Sequence, residues 1–146
     1  MAYQESWSEM LAKIRAEYPT WTRSTAGSTQ SWITLPYGTS TTWYGMAFTS
    51  TGPRVELYFG GPDAAANLAE FERFTEHRQL LDDGFGGSIQ FDPLPGKKAC
   101  RIHIDRLHGD VLDADSRGEF LDWFVSTMAK FRPVTQRIRA TLESTT

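Results

Sequence analysis

The densest set of ionisable side chains lies in HIDRLHGDVLDAD, residues 103–115. His103, Asp105, His108, Asp110, Asp113 and Asp115 are of types that ligate Zn²⁺ or Mn²⁺. Their spacing argues against one metal site. His103 and Asp105 share one face of a strand, whereas His108 falls past the strand's end. The aspartates also suit a loop leading into a helix N-terminus, where negative charge is favoured. A restriction-type nuclease needs an acidic residue and then an acid-x-Lys triplet, so that two carboxylates hold Mg²⁺ and a lysine supports the attacking water. FDPLPGKKAC supplies Asp92 with Lys97 or Lys98, but no acid-x-Lys triplet occurs anywhere in the chain. The single cysteine, Cys100, has core parity, where a thiol is inert packing. His77, His103 and His108 have no recognisable nucleophile beside them. FGGPDAAAN could turn backbone N–H groups toward an anion, but it lacks the glycine spacing of the phosphate-binding motifs. No catalytic residue, metal ligand or cofactor is therefore assigned, and a metal-dependent hydrolase or nuclease is the least favoured reading.

A different kind of chemistry is offered by KKACRIHID, residues 97–105, where Arg101 stands in a strand between Cys100 and Ile102. Strand side chains alternate between two faces. One set of positions is apolar throughout: Ile33, Leu35, Tyr37, Tyr44, Met46, Phe48, Val55, Leu57, Phe59, Ile89, Phe91, Cys100, Ile102 and Ile104. The other mixes aromatic and polar groups: Trp32, Thr34, Trp43, Gly45, Ala47, Arg54, Glu56, Tyr58, Ser88, Gln90, Arg101, His103 and Asp105. Arg101 thus points away from the core, and Glu56 is its expected partner. Such a pair contributes ~1 kcal/mol on a partly covered face and more where water is excluded. Trp32, Trp43, Arg54, Glu56, Tyr58, Arg101 and His103 form the candidate binding face.

The elements that carry this face follow from periodicity. SWITLPYG (31–38), TTWYGMAFT (41–49) and RVELYFGG (54–61) alternate and are joined by turn residues, which predicts an antiparallel meander. Two further strands are expected near 88–92 and 99–107. Trp7, Met10, Leu11, Ile14 and Tyr18 fall on one stripe of a helix over 6–18, with a capping-box spacing at Ser6 and Glu9. Residues 60–87 read as one helix with Asp63 near its positive end and a stripe of Leu68, Phe71, Phe74 and Leu81. A last helix starts near Ser116 and Glu119, again at capping-box spacing. Its stripe is Phe120, Trp123, Phe124, Thr127, Phe131, Val134, Ile138 and Leu142, and Pro133 should kink or split it. Residues 22–31 read as a polar loop. The order α-β-β-β-α-β-β-α predicts an α+β fold in a single domain, a five-stranded antiparallel sheet packed against helices in two layers.

Composition narrows the partners. With 15 basic and 18 acidic residues the net charge is −3, so the chain has no global attraction to nucleic acid or an anionic membrane. Eleven of the basic residues are arginine, which suits bidentate or stacked contacts. Five tryptophans exceed what a core of this size needs, and surplus aromatics mark contact surfaces. No apolar run reads as a signal peptide or membrane span, so the cytoplasm is the expected compartment.

RVELYFGG (54–61), NLAEFERFTEHRQLLDDGFGG (67–87), KKACRIHI (97–104) and FLDWFVSTMAKFRPV (120–134) together resemble an uncharacterised prokaryotic family, the domain of unknown function 4268. The resemblance covers about residues 30–140, and the first helix fits it more loosely. Members often sit at the C-terminal end of longer proteins, some of them nuclease-like or associated with restriction and phage defence. Glu56, Arg101 and Trp123 are the family-like positions outside the plain core. The resemblance implies an accessory domain of bacterial or phage origin with no settled activity. Secretion chaperones, which are small acidic dimers, have a similar element order, and this favours a homodimer that binds another protein. The expected function is a non-enzymatic, defence-associated protein-interaction module, binding a protein partner, a second copy, or both. The alternative is a nucleic-acid-binding accessory domain that stacks bases on Trp32, Trp43 and Tyr58 beside Arg54 and Arg101.

Overall fold

A computed structural model of the chain describes residues 2–21, 32–49, 52–85, 89–94, 96–106 and 114–144, with side chains from residue 7 in the first helix and residue 118 in the last. The polar stretch 22–31 and the candidate ligands His108, Asp110 and Asp113 lie outside the described residues, as does the side chain of Asp115. The elements are α1 (Ala2–Glu17), β1 (Trp32–Pro36), β2 (Thr42–Thr49), β3 (Gly52–Phe59), α2 (Ala64–Thr75), α3 (Arg78–Phe85), β4 (Ile89–Asp92), β5 (Cys100–Asp105) and α4 (Ala114–Ser144). The five strands form one sheet in the order β1-β2-β3-β5-β4, and every pairing is antiparallel. This is the expected α+β fold.

The period-two pattern decides which side of the sheet meets the helices. Leu35, Tyr44, Met46, Val55, Leu57, Phe59 and Ile102 are all at 1% exposure or less. Phe48 meets Trp7 of α1 and Phe124 of α4, at centroid distances of 4.8 and 5.2 Å. Phe59 meets Phe71 and Phe74 of α2 at 6.1 and 5.4 Å. The helical stripes therefore close one apolar layer over one face of the sheet, and each buried aliphatic or aromatic side chain contributes about 1.5–3 kcal/mol.

Three local expectations are revised. The segment 60–87 is two helices rather than one. His77 N–H bonds to Phe74 C=O at 2.9 Å, a tighter turn that re-aims α3 so that Leu81 is fully buried. Leu68 is then 41% exposed, and its expected place on the buried stripe is taken by Asn67 at 4%. Asn67 Nδ2 donates to the carbonyls of Gly61 (2.9 Å) and Lys98 (3.0 Å), and its Oδ1 accepts from Gly61 N–H at 3.0 Å. A carboxamide that replaces three backbone partners satisfies buried polar groups that a leucine would leave orphaned. Ser6 and Ser116 lie inside α1 and α4, which begin at Ala2 and Ala114, so neither is the cap that its spacing suggested. Asp63 does cap α2: its Oδ1 accepts from Ala65 N–H at 3.0 Å and Ala66 N–H at 3.4 Å.

Pro133 does not split α4, which runs unbroken over Ala114–Ser144. Its missing N–H removes one helical bond, and contacts to the sheet hold the segment around it. Thr135 Oγ1 donates to Phe131 C=O at 2.9 Å and accepts from the Tyr44 hydroxyl at 2.6 Å. Gln136 Nε2 donates to Tyr44 Oη and Tyr37 C=O, both at 3.1 Å, and Arg139 Nη1 donates to the same carbonyl at 2.8 Å. The helix is thus fixed to β2, and to the chain just past β1, within two turns of the proline.

Candidate functional site

Ladder register turns the polar parity set into rows across the sheet. Trp32, Ala47, Arg54 and Asp105 form one row. Thr34, Gly45, Glu56, His103 and Gln90 form the next. Pro36, Trp43, Tyr58, Arg101 and Asp92 form the third. All seven residues of the sequence-derived binding face therefore lie on one side of the sheet, opposite the helical layer. Among the described residues, no ion pair, ring contact or hydrogen bond joins any of the seven to a helix.

The face is not simply a solvated surface. Glu56 is only 9% exposed and His103 only 7%, whereas Trp32 is 52% exposed. Glu56 fits because its cross-strand neighbour is Gly45: a Cβ there would lie 2.8 Å from Glu56 Cγ, closer than carbon atoms approach. The glycine leaves a trough in the middle row, and the Glu56 side chain lies in it. Trp43 and Tyr58 pack at 5.4 Å between centroids, and the Arg101 guanidinium lies 5.5 Å from the Tyr58 ring.

Charge on this face is paired internally. Arg54 grips Asp105 with two nitrogens, Nε to Oδ1 at 2.6 Å and Nη2 to Oδ2 at 3.4 Å. His103 Nδ1 lies 3.1 Å from the same Oδ1. Burial alone would push the Asp105 carboxyl up, but hydrogen bonds from His103 and Arg54 outweigh it and hold the group at about 2. Glu56 behaves in the opposite way. Burial pushes its carboxyl above the usual range, and the attraction of Arg101, Arg54 and His103 does not offset this. Arg101 Nε lies 3.3 Å from Glu56 Oε1, as the sequence pairing anticipated. The contact is an ion pair rather than a hydrogen bond, and this buried Nε–H has no hydrogen-bond partner among the described residues. The face therefore holds a poorly solvated carboxylate and a donor that is not fully used.

Trp32, Trp43, Gly45, Arg54, Glu56 and Arg101 line a concavity of about 1230 Å³. It extends beyond the predicted face. Thr20, Trp21 and Thr39 contribute, and so do all five residues of β1, those of core parity included. Residue spacing gave no sign of this, because the concavity reaches round the edge of the sheet to the chain that follows α1.

Among the described residues, no group of three or more His, Cys, Asp or Glu side chains could hold a metal ion. Three of the N–H groups that FGGPDAAAN could offer an anion are already engaged, Gly61 by Asn67 and Ala65 and Ala66 by Asp63. Cys100 is 2% exposed, and burial raises its thiol pKa. No helix among the described residues is long and apolar enough to cross a membrane.

No curated protein and no solved structure matches the chain. One family profile does, over residues 2–139, so the match takes in α1 with Trp7, which the sequence resemblance had fitted only loosely, as well as all five strands. The chain belongs to this family, the domain of unknown function DUF4268.

Proposed function

We propose that the protein is a non-enzymatic interaction module whose aromatic-polar sheet face receives a segment of a protein partner. The observation that carries this reading is the concavity over Gly45, in which a buried carboxylate, an under-used guanidinium donor and the exposed Trp32 ring meet on the face of the sheet opposite the helical layer. Half-exposed tryptophan and tyrosine beside arginine are the composition of binding hot spots. A volume of about 1230 Å³ accommodates several residues of an extended peptide. In keeping with the setting that the family resemblance implies, the module acts in the cytoplasm as an accessory part of prokaryotic or phage defence systems.

The nucleic-acid reading is weaker on one specific ground. Both arginines of the face already neutralise carboxylates, Arg54 with Asp105 and Arg101 with Glu56, so a phosphate would have to displace an acid from each.

Panning a displayed random-peptide library against the whole chain tests the proposal. Enriched peptides should bind the wild type and lose at least about tenfold in affinity, or ~1.4 kcal/mol, with Trp43→Ala or Glu56→Ala. Peptides that bind those variants undiminished would refute it. So would tight, steeply salt-dependent binding of single-stranded DNA or RNA that depends on Arg54 and Arg101, which would install the alternative.

A further inference from the structure

A carboxylate as buried as Glu56 is ordinarily surrounded by hydrogen-bond donors. Here it accepts no hydrogen bond from any described residue. Its two oxygens face different neighbours. Oε1 lies toward Arg101 on β5, and Oε2 lies over Gly45 on β2, 3.4 Å from where a Cβ of that residue would stand. The space beyond Oε2 belongs to the concavity. In the middle row Thr34, Gly45 and Glu56 line it, whereas His103 and Gln90, further along, do not. The trough therefore starts at the exposed Thr34 on the sheet edge and ends on Glu56, about 10 Å away at two strand spacings. Trp32 and Trp43, in the rows on either side, line it as well.

The charges around the trough decide the sign of what it can hold. On this face two arginines, Arg54 and Arg101, stand against three carboxylates, Glu56, Asp92 and Asp105. Arg54 and Asp105 close on each other through two nitrogens. Arg101 is shared: Glu56 lies on one side of it, and Asp92 stands directly across the strand pair on the other. Glu56 thus has less than one full counter-charge, and the pull of Arg101, Arg54 and His103 does not make good its lost hydration. An incoming cation would supply the deficit and meet aromatic rings, which attract cations. An incoming anion would meet Glu56 itself, and it could not use the idle Arg101 Nε–H, because that atom is buried from solvent.

We infer that the partner segment presents a basic side chain, lysine or arginine, which enters the trough over Thr34 and sets its cation against Glu56 Oε2. This deepens the proposed function and rests on it, since the concavity must first be a peptide site. The methylene stem of such a side chain packs along apolar surface while its head stays on the charge, which suits a trough that has Trp32 and Trp43 beside it and a carboxylate at its end. Arg101 keeps Asp92 and the Tyr58 ring, so the incoming cation adds a donor to Glu56 without displacing one.

Capped peptides Gly-Gly-X-Gly-Gly, with X lysine, arginine, glutamine or glutamate, are titrated into the isotope-labelled full chain to about 20 mM, a range that reaches millimolar binding. In NMR spectra the lysine or arginine peptide should shift the Gly45 amide and the Trp32 and Trp43 indole signals saturably. It should bind at least about tenfold more tightly than the glutamine peptide, and the glutamate peptide should leave those signals in place. Glu56→Gln, close in shape to the native residue, should erase the difference between the lysine and glutamine peptides. Thr34 is exposed, so its variants keep the fold. Thr34→Glu, which adds a carboxylate at the mouth of the trough, should tighten the basic peptides about threefold, and Thr34→Lys should weaken them by as much. Equal affinities for the lysine and glutamine peptides, a response to the glutamate peptide instead, or a lysine preference undiminished in Glu56→Gln would overturn the inference. The two readings fail separately. Library peptides that need Trp43, but whose basic residues can become glutamine at no cost, keep the proposed function and lose the cation. A lysine response that needs Glu56, in a chain whose library peptides ignore Trp43, keeps the cation site and loses the peptide groove.

Discussion

Replacing Gly45 by alanine tests the packing on which the candidate site depends. The new Cβ would meet Glu56 at Cγ (2.8 Å), Cδ (3.2 Å) and Oε2 (3.4 Å). Glu56 cannot yield easily, because it is 9% exposed and paired with Arg101. Overpacking a site of this kind costs roughly 1–3 kcal/mol. Against that, alanine restricts the unfolded chain and returns roughly 0.5–1 kcal/mol where the backbone accepts it. The net expectation is a loss of about 1–2 kcal/mol, or about 3–7 °C in Tm for a chain of this size. Adding Glu56→Ala removes the obstacle, so in that background Gly45→Ala should be neutral or stabilise by about 0.5 kcal/mol. Urea unfolding followed by circular dichroism gives both legs of the cycle. Gly45→Ala at wild-type stability, or additive effects in the double variant, would show that Glu56 does not occupy the trough as described.

Thr135→Val should cost about 2–3 kcal/mol, because it leaves the buried Tyr44 hydroxyl without its acceptor. Tyr44→Phe should cost only about 1 kcal/mol, since Thr135 keeps Phe131 C=O and Gln136 keeps Tyr37 C=O; equal costs in denaturant titrations would contradict the hydrogen-bond directions assigned. Asp105 sits at about 2, below its unfolded value near 4, so its contribution to stability is complete above about pH 4 and disappears as the pH falls toward 2. Arg54→Met should therefore move the acid-unfolding limb to higher pH, and urea midpoints between pH 2 and 5 that match the wild type would refute this. The Cys100 thiol, buried and with its pKa raised, should react with iodoacetamide at least about 100-fold more slowly in native protein than in denaturant; comparable rates would show that β5 is open to solvent.

Much of the candidate face was legible because a strand's two-residue period is strict. Once β2, β3 and β5 are identified, the shared side of Trp43, Glu56, Tyr58, Arg101 and His103 follows. The Glu56–Arg101 pair was legible too, from complementary charge on neighbouring strands, although the register that sets its geometry was not. Three-dimensional neighbours were the hidden part. Nothing in the order of residues puts Trp21 at the rim of a concavity with Trp32, or shows that Gly45 is small because Glu56 lies against it. Helix ends failed for a different reason. Ser-x-x-Glu is as compatible with a helix interior as with its start, and α1 and α4 begin at Ala2 and Ala114, ahead of Ser6 and Ser116. The division between α2 and α3 escaped because the apolar positions on either side of Glu76–His77 still fit one stripe, while Asn67, a polar residue, takes the buried position.

The strand order has a consequence for how the molecule breathes. Strand β5 comes last in the chain yet lies between β3 and β4, so its backbone is bonded on both sides and links residues 52–59 to 89–92. The amides of Ile102 and Ile104 are therefore released to solvent only when the whole sheet comes apart, and their hydrogen exchange reports global unfolding. Strand β1, bonded to β2 alone, can peel away without disturbing that centre. The edge that carries Trp32 can thus open while the centre of the sheet stays paired.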